Sequence, residues 1–228
     1  MKNKTLTLFI LFISISFYNL FGQNDDRLKG LDSELNKVLK SLNETGFAVA
    51  VVEKDKMIYA KGFGYRDYEN KILNNENTLF AIGSCTKAFT SSLLGLLRDK
   101  GKLDFEDSPI DYVKELRFYN GNLNEIISIR DLMSHRTGIP RHDLSWYFFP
   151  TFSKDSLIKR IEYHKPFTTI RNKYWYNNFM FLVQGVIAER ITGESWEDNI
   201  REMIFEPLEM ERSNLSIAEM EKEENAAF

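Results

Sequence analysis

The chain changes from one hydrophobic period to another between residues 27 and 64. Residues 27–42 carry leucine and valine three and four positions apart, between charged and polar residues, which predicts an amphipathic helix. Two runs rich in valine, alanine and aromatic residues follow at Gly46–Glu53 and 57–64, and the charged residues 54–56 separate them. Such residues favour strands, so we predict a β-hairpin.

The rest of the chain is dominated by helical patterns. A short apolar stretch at 78–82, interpreted as a strand, leads into residues 84–100, which are apolar on nearly every side and therefore predict a buried helix. Residues 104–150 are broken by proline and glycine into loops and short helices. Further helices are predicted at 177–192, closed by Gly193, and from about Ser195.

A hairpin followed by a mostly helical region indicates an α/β (α+β) fold. The chain has 228 residues, of which 43% are hydrophobic and 28% charged, as in ordinary globular proteins. No linker or repeat divides it after residue 25. We therefore treat 23–228 as one domain.

The N-terminal segment predicts export. Lys2 and Lys4 precede an apolar run at 6–21, and polar residues follow, which is the pattern of a secretory signal peptide covering residues 1–22. Cleavage would release a mature chain into the periplasm or out of the cell, and that chain would have no membrane span. An uncleaved segment would instead anchor the protein to the membrane, and the hypothesis of a membrane-tethered structural protein would then be favoured.

Charge and composition narrow the kinds of partner. The net charge is −3, and removal of Lys2 and Lys4 makes it more negative, so a nucleic acid partner is not expected. Cys85 is the single cysteine, which excludes an intramolecular disulfide and sites built from several cysteines. The histidines lack closely spaced acidic or histidine neighbours, so we expect neither a metal nor a cofactor.

Ser84 and Lys87 are the strongest candidates for chemistry. They lie three residues apart at the start of the apolar helix, so both side chains fall on one helix face. A neighbouring group that accepts its proton activates a serine hydroxyl, and a helix N-terminus stabilises a developing oxyanion. Ser156 and Lys159 repeat the spacing, but they belong to a charged amphipathic segment that predicts a solvated helix face.

The Ser84-x-x-Lys87 motif, together with Tyr176-Asn177-Asn178, resembles the serine β-lactamase and penicillin-binding protein family in its class C-like form. Asn177 stands where serine or alanine is common in that family. The stretches 101–104, 132–140 and 204–210 resemble it in the same order. His135, inside the second stretch, corresponds to a structural turn of the family, and Tyr68-Glu69-Asn70, which has the letters of the tyrosine motif, is interpreted as a turn.

The resemblance implies a β-lactamase/DD-peptidase-like fold, with an antiparallel sheet flanked by helices and an all-helical subdomain. It implies that Ser84 is the nucleophile, that Tyr176 deprotonates it with Lys87 nearby, and that Asn178 holds the lysine and the substrate amide. The implied activity is that of a serine hydrolase. It would act on a small-molecule or peptidoglycan-type peptide substrate, such as a β-lactam, a D-amino-acid peptide or an ester.

The third motif of the family, Lys-Thr-Gly or His-x-Gly on a strand, has no match after Asn178. From this we expect a truncated reading frame in which the C-terminal strands and helix of the family are missing. One oxyanion donor would be lost with them, at a cost of about 10² to 10³ in rate. A truncated, non-catalytic cell-wall-binding or interaction module is therefore the alternative to an enzyme.

Overall fold

A computed structural model describes residues 25–227, and the predicted signal peptide lies outside them. The contacts divide the chain into two compact units. Of the described residues, those up to Phe80 and from Glu221 onward form the first unit, and Ala81–Met220 is the second. No helix in the described part of the chain is both long enough and apolar enough to cross a membrane.

The first unit is built on a small antiparallel sheet. Strands β1 (Gly46–Glu53) and β2 (Lys56–Asp67) pair as the predicted hairpin, and the short β3 (Ile72–Leu73) pairs with β2. Lys54 adopts a positive φ of 57° in the tight turn between β1 and β2. The Tyr68–Asn70 segment forms the turn between β2 and β3, as its polar composition predicts.

Helix α1 (Leu31–Leu42) precedes the sheet and begins later than its hydrophobic pattern predicts. Gly30, at φ 87°, separates it from a 3₁₀ turn at Asp26–Leu28. The helix is connected to β2 through Asp32, which accepts a hydrogen bond from the Tyr59 hydroxyl at 2.6 Å and an ion pair from Lys61. These polar contacts fix how the helix lies on the hairpin.

The predicted strand at 78–82 is wrong. Leu79 makes a single parallel bridge with Ala226, through its amide to the carbonyl of Asn225 at 2.8 Å and its carbonyl to the amide of Ala227 at 2.9 Å. A strand needs several successive paired residues, and this segment has one such pair. The apolar composition of the segment could not show that it lacks a neighbouring strand with which to pair over several residues.

The second unit is helical. It contains the predicted serine helix and the predicted helix after the tyrosine motif, with shorter helices between and after them. The helices are α2 (Thr86–Asp99), α3 (Pro109–Tyr112), α4 (Gly121–Ile126), α5 (Ile129–Met133), α6 (Leu144–Phe148), α7 (Lys154–Arg160), α8 (Asn178–Thr192), α9 (Trp196–Ile200) and α10 (Ile217–Met220). Two further 3₁₀ turns, Gly83–Cys85 and Ile161–Tyr163, and one π-helical turn, Arg201–Phe205, complete it.

Helix α8 lies at the centre of this unit. Its residues from Val183 to Ala188 are all buried, and so are Phe179 and Met180 in its first turn. Gly193 ends the helix in a left-handed conformation at φ 83°, which the sequence predicts. A helix buried on most sides holds its N-terminal end rigidly, and that end carries the tyrosine motif.

Helix α2 is buried on one face only, and the prediction that it is buried all round is wrong. Thr90, Leu93, Leu94 and Leu97 are buried, at the three- and four-residue spacing of a single helix face. Ala88 on the other side is exposed. Small residues make that side apolar in composition without requiring that it be covered.

Candidate active site

Ser84 lies in the 3₁₀ turn Gly83–Cys85 that leads into α2. Gly83 has a positive φ of 51°, a conformation that glycine adopts without strain. The turn leaves Ser84 exposed. Its hydroxyl is therefore accessible, and it stands at the positive end of the α2 dipole.

Lys87 reaches back to this serine. Its Nζ donates a hydrogen bond to Ser84 Oγ at 3.2 Å, as the spacing of three residues predicts. The ammonium also lies 4.8 Å from the ring centroid of Tyr176 and 5.4 Å from that of Phe181. The cation is thus held between the Ser84 hydroxyl and two aromatic rings.

Tyr176 completes the cluster from 92 residues further along the chain. Its hydroxyl donates to Ser84 Oγ at 2.6 Å. Burial acts to raise the pKa of Tyr176, but the hydrogen bonds with Lys87 and Ser84 and the charges of Lys87 and Arg141 outweigh it, so the pKa is lowered. A phenol with a lowered pKa ionises more readily and can accept the serine proton.

His135, in the turn after α5, packs against the ring of Tyr176. It is buried, its ring centroid lies 4.6 Å from that of Tyr176, and its Nδ1 accepts the amide of Asn177 at 3.1 Å. Burial, with a smaller effect of the Lys87 charge, lowers the pKa of His135 to about 4. The histidine is therefore neutral near pH 7, in accord with a structural turn at this position.

Asn177 is a positioning residue that the sequence did not indicate. It is fully buried, and its Nδ2 donates to the carbonyls of Ile139 at 3.2 Å and Pro140 at 2.8 Å. A serine or alanine at this position could not make both bonds. Asn177 thus connects the tyrosine motif to the turn after α5.

Asn178 does not have the partner that the resemblance implies. Its Nδ2 donates to Asp143 Oδ1 at 3.2 Å, and no hydrogen bond with Lys87 is found among the described residues. The same Asp143 accepts a hydrogen bond from Arg141 Nε on its other oxygen, at 2.6 Å. The amide nitrogen of Asn178 is thus bound to a charged acceptor.

The second Ser-x-x-Lys sequence is placed as its composition predicts. Ser156 and Lys159 lie in α7, and both are exposed. The amide of Ser156 donates to the capping Ser153 Oγ at 3.2 Å. This pair belongs to a solvated helix face.

The arrangement brings a phenol and an ammonium group within hydrogen-bond distance of one serine hydroxyl. Such a set suits the transfer of an acyl group to Ser84. No group of three or more histidine, cysteine, aspartate or glutamate side chains between residues 25 and 227 is arranged to hold a metal ion.

Comparison with known proteins shows the family of the chain. A sequence profile of the β-lactamase family matches residues 32–227. The unguisins hydrolase ungD' of Aspergillus campestris is 31% identical over 214 residues, which cover 87% of this chain and 39% of that protein. The teichoic acid D-alanine hydrolase of Staphylococcus aureus is 29% identical over 194 residues, which cover 85% of this chain and 46% of that protein.

Solved structures of penicillin-binding and β-lactamase proteins also match the chain. The octameric penicillin-binding protein homologue from Pyrococcus abyssi matches with a TM-score of 0.76 at 25% identity, covering 88% of this chain and 47% of that one. A class C β-lactamase matches with a TM-score of 0.74 at 26% identity, covering 91% of this chain and 56% of that one.

The chain belongs to the β-lactamase family. The resemblance to serine β-lactamases and penicillin-binding proteins is confirmed, and so is the α/β fold with a small antiparallel sheet and many helices. Its relatives are hydrolases, which supports a hydrolase. The chain spans about half the length of the curated relatives and solved structures that it matches.

Proposed function

We propose that this protein is an exported serine hydrolase that cleaves an amide or ester bond through a covalent acyl-enzyme on Ser84. The observation that carries the proposal is a cluster around one oxygen atom. Tyr176 Oη lies 2.6 Å from Ser84 Oγ, and Lys87 Nζ lies 3.2 Å from it. A hydroxyl in contact with both a base and a cation is an activated nucleophile.

In the proposed reaction the phenolate of Tyr176 takes the proton of Ser84 while Oγ attacks the carbonyl carbon of the substrate. The tetrahedral intermediate collapses, the bond to the leaving nitrogen or oxygen breaks, and Tyr176 returns the proton to the leaving group. A water molecule then attacks the acyl-serine and gives a proton to Tyr176. The bond between the acyl carbon and Oγ breaks, the acid is released, and Tyr176 returns the proton to Oγ, which restores Ser84 and the phenolate. The ammonium of Lys87 stabilises the phenolate.

The proposed substrate class is a small-molecule or peptidoglycan-type peptide acyl donor. One relative is named as a teichoic acid D-alanine hydrolase and another as an unguisins hydrolase, so the named substrates of the relatives differ. A β-lactam, a D-amino-acid peptide and a small ester all contain the carbonyl that this reaction needs.

The proposed export depends on the pattern of residues 1–22. N-terminal sequencing of protein recovered from the periplasm or the medium tests it, with a start near Gln23 as the expected result. A start at Met1 would instead indicate a retained anchor.

Covalent labelling tests the proposed chemistry. A fluorophosphonate probe, and separately a fluorescent penicillin, should label the wild-type chain at Ser84. Ser84→Ala should abolish labelling because the nucleophile is gone, and Tyr176→Phe should slow it by about 10² to 10⁴-fold because the base is gone. The readout is the rate of probe incorporation, with the site assigned by mass spectrometry.

The second Ser-x-x-Lys sequence provides a matched control. Ser156→Ala removes a hydroxyl in the same motif on an exposed helix, and it should leave labelling unchanged. Equal labelling of the wild type and Ser84→Ala would contradict the assignment of a serine hydrolase.

A further inference from the structure

Two cations lie over the ring of Tyr176. Lys87 Nζ is 4.8 Å from the ring centroid, and the guanidinium carbon of Arg141 is 4.9 Å from it. A neutral phenol attracts a cation only through its ring quadrupole, whereas a phenolate adds a full negative charge. The pair of cations therefore favours the ionised form of this side chain.

Arg141 is held in this position by Asp143. Arg141 Nε donates to Asp143 Oδ2 at 2.6 Å, while Asp143 Oδ1 accepts the amide of Asn178 at 3.2 Å. Asn178 is the first residue of α8, so the carboxylate ties the guanidinium to the helix that follows Tyr176. The Arg141 side chain is otherwise 54% exposed, and it would sample other rotamers without this anchor.

The charges that face Tyr176 come from three parts of the second unit. Lys87 of α2 and Arg141 of the turn before α6 are cationic, and Asp143 of that turn is anionic and offsets part of the Arg141 charge. His135, from the turn after α5, is neutral near pH 7. The sum of these charges at the phenol is positive, and Arg141 provides one of its two sources.

We propose that Arg141 is a second positioning cation of the active site, which stabilises the phenolate form of Tyr176 and so supports its action as the base. The catalytic role given to that phenolate rests on the proposed function. The ionisation of Tyr176 is a separate property, and it can be measured even if the chain does not turn over.

The test is the pH dependence of fluorophosphonate labelling of the full chain. Labelling should increase with pH as Tyr176 ionises. Arg141→Gln should move this rise to higher pH, so that labelling on its acid side is about two- to fivefold slower while the plateau at high pH is unchanged. Arg141→Lys should keep most of the wild-type profile because it keeps the charge.

Arg136→Gln is the matched control, because it removes an arginine charge from the same stretch of chain. Arg136 is exposed, and its Nη2 donates to the carbonyl of Arg171 at 3.2 Å. This variant should have the wild-type profile. An unshifted profile for Arg141→Gln, or an equal shift for Arg136→Gln, would overturn the proposal.

A direct titration separates the two proposals. The ultraviolet absorbance of phenolate is followed against pH for the wild type and Arg141→Gln, each with its Tyr176→Phe counterpart subtracted. Ionisation of Tyr176 at higher pH in Arg141→Gln supports the role of Arg141 even if no probe labels Ser84. Absence of labelling with an unchanged Arg141 effect would count against the hydrolase alone, and an identical titration in both chains would count against Arg141 alone.

Discussion

At the scale of single residues, the geometry of the site depends on Asn177, a side chain that no chemical motif singles out. Its backbone amide donates to Nδ1 of His135 at 3.1 Å, and its side chain donates to the carbonyls of Ile139 and Pro140 in the turn after α5. Tyr176 is the preceding residue, so these three bonds fix the backbone from which the phenol extends. The Oδ1 of Asn177 is buried without a hydrogen-bond partner among the described residues, which offsets part of the gain.

Asn177→Ala should lower the free energy of unfolding by about 1–2 kcal/mol, because one buried and one partly buried carbonyl lose their donors. It should also slow labelling of Ser84, because Tyr176 is then held less firmly. Urea denaturation and probe kinetics measure the two effects. Asn172→Ala, which removes an exposed amide that donates to Thr168 at 2.8 Å, is the control and should change neither; an equal effect of both substitutions would show that burial at 177 is not the cause.

The sequence was sufficient for the part of the site that a single helix carries. Ser84 and Lys87 meet because residues three apart share a helix face, whatever the rest of the chain does. Tyr176 could be assigned only through the family resemblance, since nothing local brings together residues 92 positions apart. Arg141 and Asp143 were not identified because their places depend on the path of a turn, which hydrophobic periodicity does not encode.

At the scale of elements, the five-residue helix α5 is too short to be stable by itself. Ser128 and Asp131 form a capping box at its start, and Asp131 also accepts an ion pair from Arg171 at 2.8 Å. Burial acts to raise the pKa of Asp131, but the bonds from Arg171 and Ser128 outweigh it and the pKa is lowered. The helix leads directly into the turn of His135, so these polar contacts also support the site.

Asp131→Ala should lower the free energy of unfolding by about 2 kcal/mol, since it removes both the cap and an ion pair whose Arg171 side is half-exposed. The measurement is denaturant unfolding at neutral pH. Asp111→Ala removes an exposed carboxylate in α3 that lies 4.0 Å from Lys114, and it should cost no more than about 0.5 kcal/mol. Similar losses for both would mean that the cap and the Arg171 pair contribute little.

Elements were predicted most accurately where the pattern was periodic and its partner was close in sequence. The hairpin and α8 agree with their patterns because each is specified by its own residues. The stretch at 78–82 was misread as a strand, since strand formation requires a partner that composition cannot reveal. The exposed side of α2 was misjudged for the same reason: alanine and glycine there are compatible with solvent as well as with a neighbour.

At the scale of the whole molecule, the two units differ in the groups that respond to mild acid. All three histidines, His135, His142 and His164, lie in Ala81–Met220. Burial lowers the pKa of His142, and burial together with the charges of His142 and Arg160 lowers the pKa of His164 to about 4. Nε2 of His142 and Nδ1 of His164 are buried without hydrogen-bond partners in the described part of the chain, so an added proton there would be left unsatisfied.

The first unit responds only at lower pH. Its shifted acidic groups are carboxylates, and Asp32 is representative: bonds from Lys61 and Tyr59 lower its pKa below the ordinary 3.8. A carboxylate of this kind contributes stability that is present above its unfolded pKa and is lost as pH falls below it. Between about pH 6.5 and pH 4.5 the first unit should therefore keep its stability.

The second unit should lose stability over that same interval. A buried histidine with a folded pKa of about 4 binds its proton less readily than in the unfolded chain, where the value is 6.5, so protonation favours unfolding as pH falls from 6.5 toward 4. Protonation of His135 and of His164 should each lower the free energy of unfolding by roughly 2 kcal/mol by about pH 5.

Hydrogen exchange resolved by segment, corrected for the intrinsic pH dependence of exchange, measures this loss. We expect reduced protection in α5 and α8 with unchanged protection in β1 and β2. His164→Phe keeps a buried ring against Phe179 and removes one titrating group, so it should reduce the acid-induced loss by roughly 2 kcal/mol. Equal losses in both units, or an unchanged loss in this variant, would show that the buried histidines do not determine the acid sensitivity.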